Sequence, residues 1–269
     1  MINKIPKIKF TEEDSFFLIS GPCVVENKEM IFKTCEKLVE ITNELKIPFI
    51  FKSSYKKGNR SKIDSFKGIG DKKALKILKQ VGEKFKVPVT TDIHSAEEAI
   101  LASNYVDIIQ IPAFLSRQTD ILIKAAKTNK FINIKKGQFM SHESIKFTIE
   151  KVKKYNKKVM ITERGNLFGY NDLIVDFTGL EKMKKYNIPI VLDSSHSIQK
   201  TNQKKGITNG EPEFIETLSK AGIAVGVNGI FIETHFNPKE ALSDSGSMLD
   251  IKKMKKLLKK LLKIQKSIN

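Results

Sequence analysis

What most restricts the folds open to this chain is an alternation repeated along its whole length. Short apolar, β-prone runs recur as FFLISGPC (16–23), FIFKSSY (49–55), VPVTTDI (87–93), DIIQIPA (107–113), FINIKKG (131–137), KVMITER (158–164), IPIVLDSS (188–195) and VNGIFIET (227–234). Between them lie segments whose apolar residues fall three and four apart, among them 29–45, 72–85 and 119–130, and the chain ends on another at 248–268. Buried strands alternating with amphipathic helices imply parallel βα units. Eight such units in 269 residues predict the α/β class and a (β/α)8 TIM barrel. The chain reads as one domain over 1–269, with 1–14 an N-terminal extension capping the barrel and 247–269 a C-terminal helix.

A barrel places its chemistry at the carboxyl ends of its strands. Read in order, those ends offer Cys23, Lys52, Asp92, Gln110, Lys135, Arg164, His196 and Glu233. A purely structural barrel has no reason to end every strand on a polar, ionisable or metal-capable residue, so the pattern predicts an active mouth.

Strands 7, 8 and 1 are neighbours once the ring closes, which would bring His196, Glu233 and Cys23 together, with Asp244 on the loop after strand 8. An imidazole, two carboxylates and a thiolate suit a divalent ion such as Zn, Fe or Mn. Taken singly, Cys23 reads as a small core residue and His196 as a loop histidine; only the set points to a metal. On the other side of the mouth, Lys52, Lys57, Lys135 and Arg164, with Gln110 among them, would cradle a small dianion. A lysine ending an apolar strand must be solvated or paired, and convergent cations stabilise charge on a transferring phosphate.

The arginines sharpen this reading. The chain has three of them, Arg60, Arg117 and Arg164, against 45 lysines. A guanidinium fork matches two oxygens of one phosphate, which an ammonium does not. Asn59, Arg60 and Ser61, just past strand 2, therefore read as a second phosphate site rather than a plain polar turn. FKGIGDKKAL (66–75) has no strand directly before it and reads as a turn opening a helix. His94, His142 and His235 receive no role, and Cys35 reads as core.

The net charge of +18 raises nucleic acid as a partner. Lysine is spread along the whole chain, without an aromatic-interleaved basic stripe or a nucleic-acid motif, and small anions fit the charge better. No apolar run approaches a membrane span, two cysteines make no disulfide framework, and MINKIPKIKF is too charged for a secretory signal. The expectation is a cytoplasmic protein with no membrane and no nucleic-acid partner.

The motifs ISGPCVVE, FKSSYKKGNRS, TTDIH, IIQIPAFLSRQTD, INIKKGQF, ERGNLFGYNDLIVD, VLDSSHSIQ and FIETHFNPKEALSD, in this order over residues 15–250, resemble the 3-deoxy-D-manno-octulosonate-8-phosphate synthase family. That resemblance implies a homotetrameric barrel that condenses phosphoenolpyruvate with D-arabinose 5-phosphate and releases phosphate, on the way to the Kdo sugar of lipopolysaccharide. It implies phosphoenolpyruvate on Lys52, Ser54, Lys57, Gln110, Lys135 and Arg164, with the backbone of Ala113 near its phosphate. The pentose phosphate would lie along Asn59, Arg60 and Ser61, with Asp92 also facing substrate. Arg117 would reach the sugar phosphate from a neighbouring subunit. Lys57, Asn59, Lys135, His196 and Asp244 would be the catalytic group.

Cysteine at position 23 implies the metal-dependent class of the family, with Cys23, His196, Glu233 and Asp244 as ligands. The related 3-deoxy-arabino-heptulosonate-7-phosphate synthases, which take erythrose 4-phosphate, usually carry Lys-Pro-Arg-Ser/Thr where this chain has Lys57-Gly58-Asn59-Arg60-Ser61. An aldolase working through a Schiff-base lysine is a third reading. Two departures from the family pattern stand out: Lys62 follows Arg60-Ser61 where serine is common, and the loop 200–213, with Glu211 and Pro212, lacks the usual glycine-rich stretch ending in arginine.

Overall fold

The computed structural model describes residues 1–13, 15–60, 62–167, 172–200 and 209–268. Eight parallel strands follow one another around a ring: β1 Phe17–Gly21, β2 Phe49–Lys52, β3 Val89–Asp92, β4 Ile108–Ile111, β5 Phe131–Lys135, β6 Val159–Glu163, β7 Ile190–Asp193 and β8 Gly229–His235. Pairing of β1 with β8, Phe17 opposite Gly229 through Gly21 opposite Glu233, closes the barrel. Seven of the strands lie inside their apolar runs, because strands covered on both faces need apolar residues at successive positions, and β8 passes the end of its run by one residue, His235.

Helices α1 Lys28–Leu45, α2 Asp71–Lys84, α3 Ala96–Ser103, α4 Thr119–Lys127, α5 Ile145–Lys153, α6 Phe177–Met183, α7 Ile215–Val225 and α8 Ile251–Ile268 form the outer layer. Local chemistry sets their ends. Asn27 and Ser95 accept from the free N–H groups of Met30 and Glu98 at the starts of α1 and α3. Gly226 closes α7 in the left-handed region at φ 81°. α8 packs between α7 and α1 and so completes the helical ring.

Two apolar clusters result. The larger lies between strands and helices and includes Leu18, Leu38, Leu78, Ile109, Ile161 and Leu258. The smaller fills the barrel interior near the amino ends of the strands with Phe17, Ile19, Ile50, Ile108, Phe131, Met160, Val191 and Phe231, joined by Ile5 from the N-terminal segment. Each such side chain contributes roughly 1.5–3 kcal/mol by leaving water. Since successive residues alternate faces, later inward positions along these strands are Lys52, Gln110, Asn133, Lys135, Thr162, Asp193 and Glu233, joined by Asp92 of β3, all buried. The barrel is apolar below and polar above.

Candidate active site

Above that polar layer opens a cavity of about 780 Å³. Lys52, Ser54, Lys57, Asn59, Arg60, Asp92, Gln110, Ala113, Lys135, Arg164, His196 and Asp244 all line it. Ser61 and residues 201–208 lie outside the described residues. Arg117 is exposed and does not line the cavity.

The first corner is formed by β7, β8 and β1. Cys23, Glu233 and Asp244 each offer one donor atom, and these atoms lie within 4.8 Å of one another. His196 Nε2 stands 3.6 Å from Glu233 Oε2 and 3.9 Å from Asp244 Oδ2. Gly21 lets the end of β1 lie close to β2: a Cβ there would sit 2.0 Å from the Lys52 carbonyl oxygen. The pairing of β1 with β2 then continues past Gly21, with Ser54 N–H donating to Cys23 O at 3.2 Å. Burial pushes the Cys23 thiol well up, and Asp244 and Glu233 add to the shift. Glu233 moves the other way, to about 2: burial opposes its ionisation, but Lys52, His196 and Lys57 outweigh burial.

Glu233 Oε2 is fully buried without a hydrogen-bond partner. An ionised oxygen left so is costly unless a cation meets it. With a thiol, a second carboxylate and an imidazole beside it, the donor set fits a divalent metal ion.

Asp193, which no reading of the sequence singled out, organises this corner. Its Oδ1 accepts from the backbone N–H groups of Ser195 and His196 at 3.1 and 2.8 Å. Its Oδ2 lies 2.7 Å from His196 Nδ1 and also accepts from Lys135. Burial opposes its charge, yet His196 and Lys135 hold the carboxyl far below the usual carboxylate range. An ionised carboxylate only accepts, so Nδ1 carries the hydrogen and a neutral His196 turns its Nε2 lone pair toward Glu233 and Asp244. The signal in the sequence is an acid at an inward strand position three residues before a histidine.

The second corner is cationic, and here the structure corrects the expected separation. Lys52 on β2, beside β1, and Lys135 on β5, two strands before β7, both extend their ammonium ends into the acidic corner. Lys52 Nζ donates to Glu233 Oε1 at 2.8 Å and to Ser54 Oγ at 3.1 Å. Lys135 donates to Asp193 and lies over the Phe231 ring. Burial draws the Lys135 ammonium down to about 8, against the opposing pull of Asp193. Lys57 donates to Ser54 Oγ at 3.1 Å. Arg164 donates to Gln199 Oε1 at 2.7 Å and to the His196 carbonyl at 3.3 Å. Gln110 accepts from Asn133, which in turn accepts from Thr162.

Arg60 Nη1 donates to Ser243 Oγ at 2.8 Å and lies 3.7 Å from Asp244 Oδ1, so the arginine of the expected second phosphate site also touches the acidic corner. His94 supports the loop that carries it: Nε2 lies 3.4 Å from Asp92 Oδ2 and Nδ1 3.1 Å from Glu98 Oε2. Gly58 lies against its ring, where a Cβ would come within 2.4 Å. Asp92 is buried beneath, and His94, Lys52 and Lys57 keep it ionised against the cost of burial.

Known proteins resemble the whole of this chain. The family model described as DAHP synthetase I matches residues 2–269. Curated proteins named 2-dehydro-3-deoxyphosphooctonate aldolase are similar along nearly their full length. The protein from Koribacter versatilis is 43% identical over 94% of this chain and 92% of its own length. That from Fusobacterium nucleatum is 43% identical over 100% and 99%, and that from Rickettsia prowazekii 42% identical over 98% and 96%.

Proposed function

The chain belongs to the DAHP synthetase I family, and from that membership we propose that it condenses phosphoenolpyruvate with D-arabinose 5-phosphate. Water is consumed, and 3-deoxy-D-manno-octulosonate 8-phosphate and inorganic phosphate are released, a step of Kdo and lipopolysaccharide biosynthesis. The observation that carries this reading is one cavity lined both by Lys52, Lys57, Lys135 and Arg164 and by the corner of His196 and Asp244. The names of the relatives favour this acceptor over erythrose 4-phosphate.

In this reading Lys52, Ser54, Lys57, Gln110, Lys135 and Arg164 hold phosphoenolpyruvate, with the Ala113 backbone at its phosphate. Asn59, Arg60 and Ser61 hold the pentose phosphate, and Asp92 faces the substrates. Lys57 and Asn59 polarise the aldehyde, whose carbon forms the new bond with C3 of the enolpyruvate. Water adds at C2, and the resulting hemiketal phosphate breaks its C–O bond to phosphorus-bearing oxygen, leaving a ketone. Lys135 and Arg164 stabilise the charge on the departing phosphate. With its ammonium drawn down to about 8, Lys135 is also suited to give that group a proton near neutral pH.

Cys23, His196, Glu233 and Asp244 would hold a divalent ion, of which Zn, Fe and Mn suit the donors; when bound it supplies Lewis acidity beside C2. Asp193 keeps His196 in the ligating tautomer.

A homotetramer belongs to the same reading, with Arg117 serving a neighbouring subunit. Its support is an exposed apolar side chain on the same face as Arg117. Lys151 donates to Thr119 and reaches Arg117 O, and Phe147, one turn earlier on α5, is 64% exposed. Among the described residues no helix is long and apolar enough to cross a membrane, and a cytoplasmic location suits the small phosphorylated substrates.

The test is phosphate release from phosphoenolpyruvate with each aldose phosphate. Arabinose 5-phosphate should exceed erythrose 4-phosphate at least about tenfold in kcat/KM, the discrimination one missing contact gives. Preference for erythrose 4-phosphate would replace this reading with the heptulosonate synthase. Covalent trapping of a lysine by borohydride would replace it with the Schiff-base aldolase.

A further inference from the structure

Ser243 has no part in the roles assigned above, yet among the described residues its side chain touches both functional corners, through Cys23 and Arg60. It lies in the loop after β8 and is 2% exposed. Its Oγ accepts from Arg60 Nη1 at 2.8 Å, lies 3.3 Å from the Cys23 thiol, which is itself 3.4 Å from Asp244 Oδ2, and stands 3.5 Å from Asp244 Oδ1. A hydroxyl has two lone pairs and one hydrogen. Arg60 donates into a lone pair, and the hydroxyl's own hydrogen is left for Asp244. Arg60 is thereby held on the acidic corner, with its Nη1 3.7 Å from Asp244 Oδ1.

We propose that Ser243 is a positioning residue that latches Arg60 onto the Cys23–Asp244 corner, so that binding of a divalent metal and binding of the sugar phosphate each strengthen the other. The proposal rests on the function proposed above. A metal ion held by Asp244 competes with the guanidinium for the same carboxylate charge. A phosphate competes with Asp244 and Ser243 for the same guanidinium. Each ligand thus removes the other's competitor, which makes the coupling positive, and linkage makes it reciprocal.

The experiment titrates the purified protein with Co²⁺, read by its thiolate-to-metal absorption, with and without saturating arabinose 5-phosphate. In the unaltered protein the sugar phosphate should tighten Co²⁺ binding by about 5- to 150-fold, the usual span of such couplings. In Ser243→Ala the ratio should fall below about twofold, and Ser243→Thr, which keeps the hydroxyl, should restore it. An unchanged ratio in Ser243→Ala, or no ratio in an unaltered protein that releases phosphate from phosphoenolpyruvate when given arabinose 5-phosphate, overturns the latch alone. If the unaltered protein neither binds arabinose 5-phosphate nor releases phosphate with it, the proposed function falls and the latch with it. Ser243→Thr bound to Co²⁺ but uncoupled also counts against the latch, since a residue serving only to hold the loop would be replaced equally well.

Discussion

The lower and upper halves of the barrel are made by the same strands and differ in what those strands point inward. On β5, Phe131 lies in the apolar plug and Lys135, four residues on, beside Asp193 under the cavity. On β8, Phe231 belongs to the plug and Glu233, the next inward residue, carries an unpartnered carboxylate oxygen. The lower half satisfies itself by packing. The upper half satisfies its charges only in part, by ion pairs such as Lys52 with Glu233, and leaves capacity that a cation and an anion can fill. Polar groups so placed weigh against stability unless paired, which makes the upper half a site and the lower half its support.

The largest test of this contrast is stability. Phe131→Ala should cost about 3–5 kcal/mol, measured by urea unfolding, with kcat/KM little changed while the protein stays folded. Four residues away on the same strand, Lys135→Met should do the opposite. It should lower kcat about 10²- to 10³-fold, the scale of losing one charge-stabilising donor, with a smaller loss of stability than Phe131→Ala because Asp193 keeps His196 and two backbone N–H donors. The alkaline fall in rate expected near pH 8, where Lys135 gives up its proton, should vanish in that variant. Equal effects of the two substitutions on folding would erase the division.

Part of this division was legible in the sequence. The eight strands announced themselves because parallel strands buried on both faces are apolar throughout, and α1, α2, α4 and α8 are long enough to show a helical period. The helices α3 and α6, with eight and seven residues, are too short for that. Strand ends gave residues that line the cavity, such as Lys52, Asp92, Gln110 and Lys135, because a residue's place on a strand fixes where its Cα stands. They did not give partners: the Lys52 and Lys135 ammonium groups reach Glu233 and Asp193 on other strands, a freedom of long side chains that no spacing records. Asp193 read as the tail of an apolar run, and Ser243 is one serine among several in its loop.

A smaller effect is expected from Asp193→Asn, which keeps the shape but loses the charge that fixes His196. Metal affinity should fall about 10- to 100-fold, read by titration, without a matching loss of fold.

The last concerns the support of the β2 loop. His94 is raised from 6.5 to about 9: burial works against its charge and is outweighed by Asp92 and Glu98. A raised histidine stabilises fully below its unfolded value and loses that contribution as pH climbs through the folded one. Stability should therefore decline by up to roughly 3 kcal/mol between pH 6.5 and 9, and His94→Gln should flatten that slope in urea midpoints taken across the window.

The central claim is that groups brought together from β7, β8 and β1 hold a divalent ion on which the cationic side of the same cavity depends. The direct measurement is the rate of phosphate release from phosphoenolpyruvate and arabinose 5-phosphate as free metal is varied, beginning from chelated protein. The expected result is a rate near zero after chelation that rises to a plateau at one divalent ion per chain, with no such rise in Glu233→Gln. Full activity in the chelated protein, or the same metal response in Glu233→Gln, would contradict it.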